Sequence, residues 1–209
     1  MVKAFHPHEK ELIRQQLLEQ GREMFGSYGV AKTNIRDLTR AAGISQGAFY
    51  RFFGSKEELY FAILQEEEQV LKERLLAEVL EAGLSGKEMF KRFLLHGLEL
   101  VHQHPIIRRM FLENEHELIL RKLPPEVVEA HIAADEDALA PLIRSWQAAG
   151  LLVDVRAEVI VGVTRAFFLT SLHRKEIGAD VFTETLELLA DCLASGLTTD
   201  LTTRGGEAE

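Results

Sequence analysis

The chain has 209 residues, of which 46% are hydrophobic and 27% are charged, a composition that is ordinary for a soluble globular protein of one or two domains. Its apolar runs are too short to cross a bilayer, and residues 1–10 lack the apolar core of a secretory signal. Because Cys192 is the only cysteine, an internal disulfide is excluded and a reducing compartment is favoured. We therefore expect a cytoplasmic protein with no membrane partner.

The negative charge of the chain is unevenly distributed. The formal net charge is −9, which would disfavour nucleic acid as a partner if it were spread evenly. Residues 1–60 nevertheless carry a net charge of +2, whereas residues 61–209 carry −11. The basic excess is concentrated in residues 31–56, where Asp37 is the only acidic residue beside five basic ones: Lys32, Arg36, Arg40, Arg51 and Lys56. This segment predicts a local footprint for phosphate groups.

The first predicted helix runs from about His8 to Ser27, because apolar residues recur there at three- and four-residue spacing. Gly29 is expected to end it. Thr33 is a suitable N-cap for a short second helix that ends at Gly43, where glycine tolerates a positive φ. Ser45 then caps a third helix that is equally short.

The remainder of the chain also follows a helical pattern. The capping box Ser55-Lys56-Glu57-Glu58 opens a long helix to about Glu81. Five more helices are predicted: from a capping box at Ser85 to about His102, from Pro105 onward, from Pro125 to Ala149 with Gly150 closing it, from Asp154 to about Lys175, and from Asp180 to about Ser195. No convincing strand pattern is present. The sequence therefore predicts an all-α fold of about nine helices.

Residues 33–53 have the pattern of a helix-turn-helix. Five apolar residues have the spacing that wedges two short helices over the first one: Leu38, Ala42, Ile44, Phe49 and Phe53. In such a motif the second helix enters the major groove of DNA, which is about 12 Å wide. The plain alternative is a small three-helix unit with no partner. That alternative does not explain why polar, outward residues lie within the one basic segment.

The outward side of the second short helix carries the predicted base contacts. Gln46 pairs with adenine and Arg51 with guanine, while Ala48 suits the methyl group of thymine. Gly47 lies on the same side, and Tyr50 is placed to donate its hydroxyl to a phosphate. These residues predict sequence-specific contacts with double-stranded DNA.

The rim of the same motif carries the predicted phosphate contacts. Three residues lie there at helix starts, where side chains and free amides suit phosphate oxygens: Thr33, Arg36 and Lys56. We expect phosphate contacts to supply most of the affinity and the outward groups of the second helix to supply most of the specificity.

This pattern resembles the TetR family of bacterial regulators. About 40 of the 209 residues lie in the stretch that carries the resemblance: Met24-Phe25, Tyr28-Gly29, Thr33, Ala42-Gly43-Ile44-Ser45, Gly47-Ala48-Phe49-Tyr50, Phe53 and Lys56-Glu57-Glu58-Leu59. The resemblance implies DNA contacts by six residues: Thr33, Ser45, Gln46, Gly47, Tyr50 and Lys56.

Three positions depart from the family pattern. Gly21 stands where alanine is usual, at a cost of about 1 kcal/mol in helix propensity. Thr39 replaces another usual alanine. Phe52 occupies a position often held by a phosphate-binding tyrosine or histidine, so one phosphate contact of the family is expected to be missing.

The resemblance also implies two domains and a dimer. We predict a helix-turn-helix DNA-binding domain over residues 1–54, a helical ligand-binding and dimerisation domain over residues 55–203, and a disordered tail over residues 204–209. In the family the last two long helices dimerise, which gives five interface candidates: Val163, Phe168, Leu186, Leu189 and Leu193. Packing inside one subunit is the alternative for each. A homodimer is expected because one short helix-turn-helix reads too few bases alone, whereas two bind a palindrome.

Aromatic and histidine side chains cluster in the middle of the chain. Six of them are candidates for an apolar effector pocket with a few polar contacts: Phe93, His96, Phe111, His131, Trp146 and Phe167. The alternative is a plain hydrophobic core with histidines on the surface. The sequence leaves both interpretations open.

The sequence predicts neither a metal site nor catalysis. His116-Glu117 begins an H-E-x-x-H pattern, but Leu120 stands where the second histidine is required. No phosphate-cradling glycine loop and no G-x-S-x-G elbow is present. Cys192 lies among leucines on a predicted helix, which suits a core or interface residue. We expect no metal, no cofactor and no enzymatic activity.

Together these patterns predict a homodimeric transcriptional regulator that binds a palindromic operator, represses, and is released by an unknown small-molecule effector. The long helix that begins at Ser55 is the expected lever between the two domains, and a coupling of ~1–3 kcal/mol suffices for such a switch. The alternative keeps DNA binding but makes the C-terminal body a dimerisation or protein-docking module with no effector.

Overall fold

A computed structural model describes residues 6–81, 84, 86–112 and 115–198 of the chain. Eleven helices occur in this part: α1 (Pro7–Lys32), α2 (Ile35–Ala41), α3 (Gln46–Phe49), α4 (Lys56–Glu81), α5 (Gly86–Gln103), α6 (Pro105–Leu112), α7 (Glu115–Leu120), α8 (Pro125–Ala148), α9 (Ala157–Thr170), α10 (Arg174–Ile177) and α11 (Phe182–Leu197). The predicted fold class, all-α with an N-terminal helix-turn-helix, is confirmed. The predicted cap at Ser85 and the predicted tail over residues 204–209 lie outside the described residues.

The expected count of nine helices was too low, because α7 and α10 were not predicted as separate elements. The single helix expected from Asp154 to Lys175 begins instead at Ala157 and ends at Thr170. At this end, Thr170 Oγ1 donates to the carbonyl of Ala166 over 2.8 Å and Ser171 Oγ donates to that of Phe168 over 2.6 Å. Such side-chain hydrogen bonds compete with the backbone hydrogen bonds of a helix, which is consistent with the end of the helix at Thr170 and Ser171.

The first helix is interrupted at Gly29, close to where the sequence predicted its end. Gly29 has φ 78° and ψ 168°, which is the left-handed side that glycine alone adopts readily. The chain then resumes a last helical stretch to Lys32. The bend therefore separates the body of α1 from the segment that enters the helix-turn-helix.

The N-cap of α2 is Asn34, so the expectation that Thr33 caps this helix was wrong. Asn34 has extended backbone angles, and its Oδ1 accepts the amide of Asp37 over 2.9 Å. Thr33 is instead the residue that ends α1, and its hydroxyl donates to the carbonyl of Gly29 over 2.7 Å. Threonine and asparagine are both good N-cap residues, so the sequence alone does not show which of the two caps α2.

The capping box of α4 is formed with one change. Ser55 Oγ accepts the amide of Glu58 over 3.0 Å, as predicted. The Glu58 carboxylate, however, accepts the amide of Gly54 over 2.9 Å, one residue before the expected partner. The helix keeps its predicted length, from Lys56 to Glu81.

The described residues fall into two compact units. The first contains those within Met1–Gln69 and His104–Pro125, and the second contains those within Val70–Gln103 and Glu126–Glu209. Helices α6 and α7 therefore belong with α1 to α3 and the first half of α4, although they follow α5 in sequence. The functional division predicted at residue 54 stays a prediction.

The core of the first unit forms around α1 and α4. Phe25 and Tyr60 meet edge to face with ring centroids 5.2 Å apart, and both are fully buried. The Tyr60 hydroxyl donates to the carbonyl of Ile106 over 2.7 Å, which ties α4 to α6. Arg22 on α1 pairs with Glu66 and Glu67 on α4, and Glu67 also contacts His104 Nε2 over 2.7 Å. These contacts hold α1, α4 and the start of α6 together.

Each of the described helices is either too short or too polar to cross a bilayer.

Candidate nucleic-acid interface

The helix-turn-helix consists of α2, a turn at Gly43 and α3. Gly43 has φ 67°, which confirms the predicted glycine turn. Leu38 and Phe49 are fully buried, whereas Ile44 is only half-buried. Thr39 is 2% exposed and its hydroxyl donates to the carbonyl of Arg36 over 3.1 Å, so this departure from the family pattern satisfies its own polar group. The two short helices are thus held by their apolar inner faces.

The second short helix presents its polar side to solvent. Its N-cap is Ser45, as predicted, with Oγ accepting the amide of Ala48 over 3.2 Å. Gln46, Gly47 and Arg51 are exposed, and Ala48 is half-buried. Their exposure agrees with the predicted base-reading side, while the contacts themselves stay predictions.

Tyr50 is the most exposed aromatic side chain of this motif. It is 59% exposed although it follows the fully buried Phe49. The two rings meet edge to face with centroids 5.6 Å apart, so packing fixes the direction of the exposed ring. Its hydroxyl suits a phosphate oxygen as donor.

A groove of about 550 Å³ brings several predicted contacts together. Nine residues line it: Asn34, Ile35, Arg36, Gln46, Tyr50, Gly54, Ser55, Lys56 and Glu57. Four of these were predicted as DNA contacts from the sequence. Asn34, Ser55 and Glu57 were not, although two of them are of the cap-forming type that signals a helix start. The groove therefore joins the starts of α2 and α4 to the exposed side of α3.

Thr33 does not reach this groove with its hydroxyl. It is 4% exposed, and the hydroxyl donates to the carbonyl of Gly29. The phosphate contact that the resemblance implies for Thr33 thus has no outward donor in this conformation. Phe52, the third departure, is half-buried.

Lys56 lies at the edge of the groove with its ammonium already bonded. Nζ donates to the carbonyl of Val30 over 2.5 Å and to that of Thr33 over 2.7 Å. A lysine ammonium has three donors, so one remains for a further acceptor. The two carbonyls fix the position of the positive charge.

The aromatic candidates for an effector pocket are packed into the core of the second unit. Phe93, Trp146 and Phe167 are between 1% and 4% exposed. Phe93 and Trp146 meet edge to face with centroids 6.0 Å apart. These contacts are those of a hydrophobic core, and a pocket here stays a prediction. The side chain of Phe111 lies outside the described residues.

The histidine candidates have polar neighbours. His96 contacts Glu99 through Nδ1 over 3.0 Å and Glu78 through Nε2. Burial favours the neutral ring, but the bonds to the two carboxylates outweigh it and raise the pKa of His96 above its ordinary value. His131 is half-buried on α8. Across the described residues, no three His, Cys, Asp or Glu side chains converge in a way that would hold a metal ion.

One of the five interface candidates, Leu186, is buried inside the subunit, which corrects its assignment. Leu186 is 4% exposed within the core of the second unit. Phe168 packs on α5, where a Cβ on Gly97 would lie 2.7 Å from Phe168 Cζ. The spacing of apolar residues along a helix indicates that the helix has an apolar face, but not which other helix covers that face. Four candidates are half-buried, and their place in an interface stays a prediction: Val163, Phe168, Leu189 and Leu193.

Other apolar side chains of α9 and α11 are the exposed ones. Val159 is 41%, Leu169 48% and Leu188 66% exposed. Val159, Val163, Ala166 and Leu169 follow one another at three- and four-residue spacing, so they form one stripe on α9. A partner surface on these helices would therefore use residues that differ in part from the predicted ones.

A short recognition helix, held on a buried apolar base and facing a groove that Arg36 and Lys56 line, defines a helix-turn-helix domain of the DNA-binding kind. Residues 17–63 match the family model of the bacterial regulatory proteins, tetR family. The repressor AcnR of Corynebacterium glutamicum is 30% identical over 109 residues, which cover 49% of this chain and 57% of AcnR. The chain spans about half the length of the curated relatives it matches.

Solved structures share the fold over most of the chain. A TetR-family transcriptional regulator from Pectobacterium atrosepticum has a TM-score of 0.70 at 22% identity, covering 94% of this chain and 99% of that one. RolR, solved in complex with resorcinol, has a TM-score of 0.63 at 16% identity, with coverages of 94% and 93%. Residues 17–63 of this chain therefore match the TetR family, and the resemblance stated from the sequence is confirmed.

Proposed function

We propose that this protein is a sequence-specific DNA-binding transcriptional regulator that acts as a repressor. The observation that carries the proposal is the groove in which Arg36, Gln46, Tyr50 and Lys56 meet. It combines cations and a hydroxyl for phosphates with an amide for a base edge, inside the one basic segment of an acidic chain. A cytoplasmic location follows from the proposal, because the operator lies there.

The recognition helix of one chain is short, which favours a homodimer that binds a palindromic operator. Helix α3 has only four residues, Gln46–Phe49. Two such helices read two half-sites when they lie one turn of DNA apart, about 34–36 Å. We place the dimer surface on α9 and α11, whose exposed apolar side chains have no other function in the proposal.

The second unit is proposed to bind a small-molecule effector that releases the operator. Its support is the shared fold with RolR, whose ligand in the solved structure is resorcinol. The alternative is that this unit only dimerises or docks a protein. A thermal-shift screen against phenols, acyl thioesters, fatty acids and drugs separates them, because stabilisation by one class that also weakens DNA binding supports the effector. A screen in which no class stabilises the protein favours the alternative.

The DNA proposal is tested by selection from a library of randomised duplexes, followed by fluorescence anisotropy. We expect enrichment of one palindrome, bound at least about a thousandfold more tightly than a random duplex of the same length. Equal binding to both duplexes would reduce the claim to non-specific affinity. Absence of binding to either would refute it.

A further inference from the structure

The bend at Gly29 is covered by side chains from α6 and α7. A Cβ on Gly29 would meet Glu115 Oε1 at less than contact distance and would lie 3.0 Å from Arg109 Nη1. Gly29 and Val30 are both buried. Glycine is thus required at this bend for two reasons: its φ is positive, and the Glu115 carboxylate approaches so closely that a Cβ atom would not fit.

Arg109 satisfies backbone carbonyls that the bend leaves without helical partners. Its Nε donates to the carbonyl of Gly26 over 3.2 Å, and its Nη2 donates to that of Ser27 over 3.0 Å. Carbonyls in the last turn of a helix lack intrahelical donors, and a cation there also suits the negative end of the helix dipole. Arg109 therefore fixes the end of the main part of α1.

Glu115 and Thr33 hold the peptide unit that follows the bend from its two sides. The amide of Val30 donates to Glu115 Oε1 over 3.0 Å. The carbonyl of Gly29, in the same peptide unit, accepts the Thr33 hydroxyl over 2.7 Å. With both ends of this peptide bonded, its orientation and that of the next carbonyl are set.

The next carbonyl in the chain is the one that Lys56 uses. Val30 O accepts Lys56 Nζ over 2.5 Å, and Thr33 O accepts it over 2.7 Å. Glu115 on α7 and the ammonium at the edge of the DNA groove are thus bonded to successive peptide units, and the backbone of Val30 connects them. Donation by the Val30 amide to the carboxylate polarises the peptide unit of Gly29 and Val30, which strengthens the bond between the Gly29 carbonyl and the Thr33 hydroxyl.

We propose that Glu115 and Arg109 are positioning residues for DNA binding, which hold the bend at Gly29 so that Val30 and Thr33 aim the Lys56 ammonium at a phosphate. This inference rests on the proposed function, since it requires Lys56 to contact DNA.

The test uses Glu115→Gln in the 209-residue chain, because glutamine removes the charge and replaces a charge-assisted hydrogen bond to the Val30 amide with a weaker neutral one. Simple electrostatics predicts tighter DNA binding when an acidic charge is removed. The positioning role predicts the opposite sign, about tenfold weaker binding to the selected palindrome and to a random duplex alike. Glu158→Gln on α9, which removes an acidic charge from the second unit, is the matched control and should not weaken binding.

A double-mutant cycle with Lys56→Ala separates positioning from general damage. We expect Glu115→Gln to have no further effect on DNA affinity when Lys56 is already alanine. Equal loss in both backgrounds, or tighter binding by the single variant, would overturn the inference. If Glu115→Gln does not fold by circular dichroism, Arg109→Lys replaces it, because a lysine has one nitrogen and cannot place separate donors at the Gly26 and Ser27 carbonyls as Nε and Nη2 of the guanidinium do.

A readout without DNA distinguishes failure of this inference from failure of the proposed function. Acetylation of lysines by acetic anhydride is followed by mass spectrometry, with Lys87, which is 46% exposed, as the internal reference. We expect Glu115→Gln to raise the acetylation rate of Lys56 severalfold relative to that of Lys87, because the Lys56 ammonium is then held less firmly by the carbonyls of Val30 and Thr33. An unchanged rate overturns the inference even if DNA binds. If acetylation of Lys56 is faster in the variant but the protein binds no DNA, the proposed function is overturned, and the positioning role in DNA binding with it. The conclusion that Glu115 restrains the Lys56 side chain would still be supported.

Discussion

A Cβ on Gly21 of α1 would lie 2.7 Å from Cδ1 of Ile63 on α4. It would also lie 3.3 Å from both Leu59 Cδ2 and Phe25 Cε2. Side-chain atoms therefore fill the space beside Gly21, and a methyl group fits there only if Ile63 shifts. The glycine that departs from the family pattern is matched by an isoleucine that fills the space of a methyl group.

Gly21→Ala is expected to destabilise the protein despite better helix propensity. Alanine contributes about 1 kcal/mol of propensity, whereas overpacking against Ile63 costs about 1–3 kcal/mol. In an Ile63→Val background the Cδ1 atom is gone, so the same change should become stabilising by about 1 kcal/mol. Urea denaturation of the four proteins in this cycle measures the coupling. Equal effects of Gly21→Ala in both backgrounds would contradict the packing explanation.

The glycines show how far the sequence predicts this fold. Gly29 and Gly43 were expected to end helices, and both have positive φ, because local backbone chemistry decides such positions. The requirement at Gly21 could not be predicted, since it depends on which residue of α4 lies opposite. The same limit explains Leu186, which is apolar at the expected spacing but is covered by its own subunit. Spacing identifies a face, and tertiary packing decides what covers it.

The part of the DNA site that consists of exposed side chains near helix starts could be predicted from the sequence. Gln46, Tyr50 and Arg36 lie in one groove, as residues drawn from one basic segment should. The support behind the groove was not predictable, because Glu115 lies 85 residues from Val30 in sequence. A long-range carboxylate to a single backbone amide leaves no periodic signal.

Tyr50→Phe and Gln46→Ala are expected to weaken DNA binding in different ways. Loss of the Tyr50 hydroxyl removes a phosphate donor, so the affinities for the selected palindrome and for a random duplex should fall by the same factor. Loss of the Gln46 amide should instead relax the preference at one base position by about 1–3 kcal/mol. Anisotropy titrations with single-base variants of the palindrome measure both. The assignments fail if Tyr50→Phe changes base preference or if Gln46→Ala lowers all affinities equally.

The contact of His96 with Glu78 and Glu99 predicts a pH dependence of stability. The pKa of His96 is raised in the folded protein, since its bonds to the two carboxylates outweigh the effect of burial. The stabilisation is therefore fully present below the unfolded value of about 6.5 and is lost as the pH rises through the folded value. Relative to His96→Gln, the wild type should gain free energy of unfolding as the pH falls from 8 to about 6.

Urea denaturation at a series of pH values measures this difference, and carboxylate variants provide the control. In a background with Glu78→Gln and Glu99→Gln, the wild-type histidine should lose its advantage at low pH, because no anion then favours the charged ring. A pH-independent difference between wild type and His96→Gln would show that the ring acts only through packing.

The exposed apolar stripes of α9 and α11 predict which residues a dimer needs. Leu188 is 66% exposed on α11, and Val70 on α4 is 63% exposed, which makes it a matched control. A glutamate at position 188 would place a charge in the proposed apolar interface, where burial without a partner is costly. We expect Leu188→Glu to sediment as a folded monomer, whereas Val70→Glu sediments as the wild type does. The monomer should lose its preference for the full palindrome over a single half-site, because only paired recognition helices read both halves. A wild-type sedimentation coefficient for Leu188→Glu would place the dimer surface elsewhere.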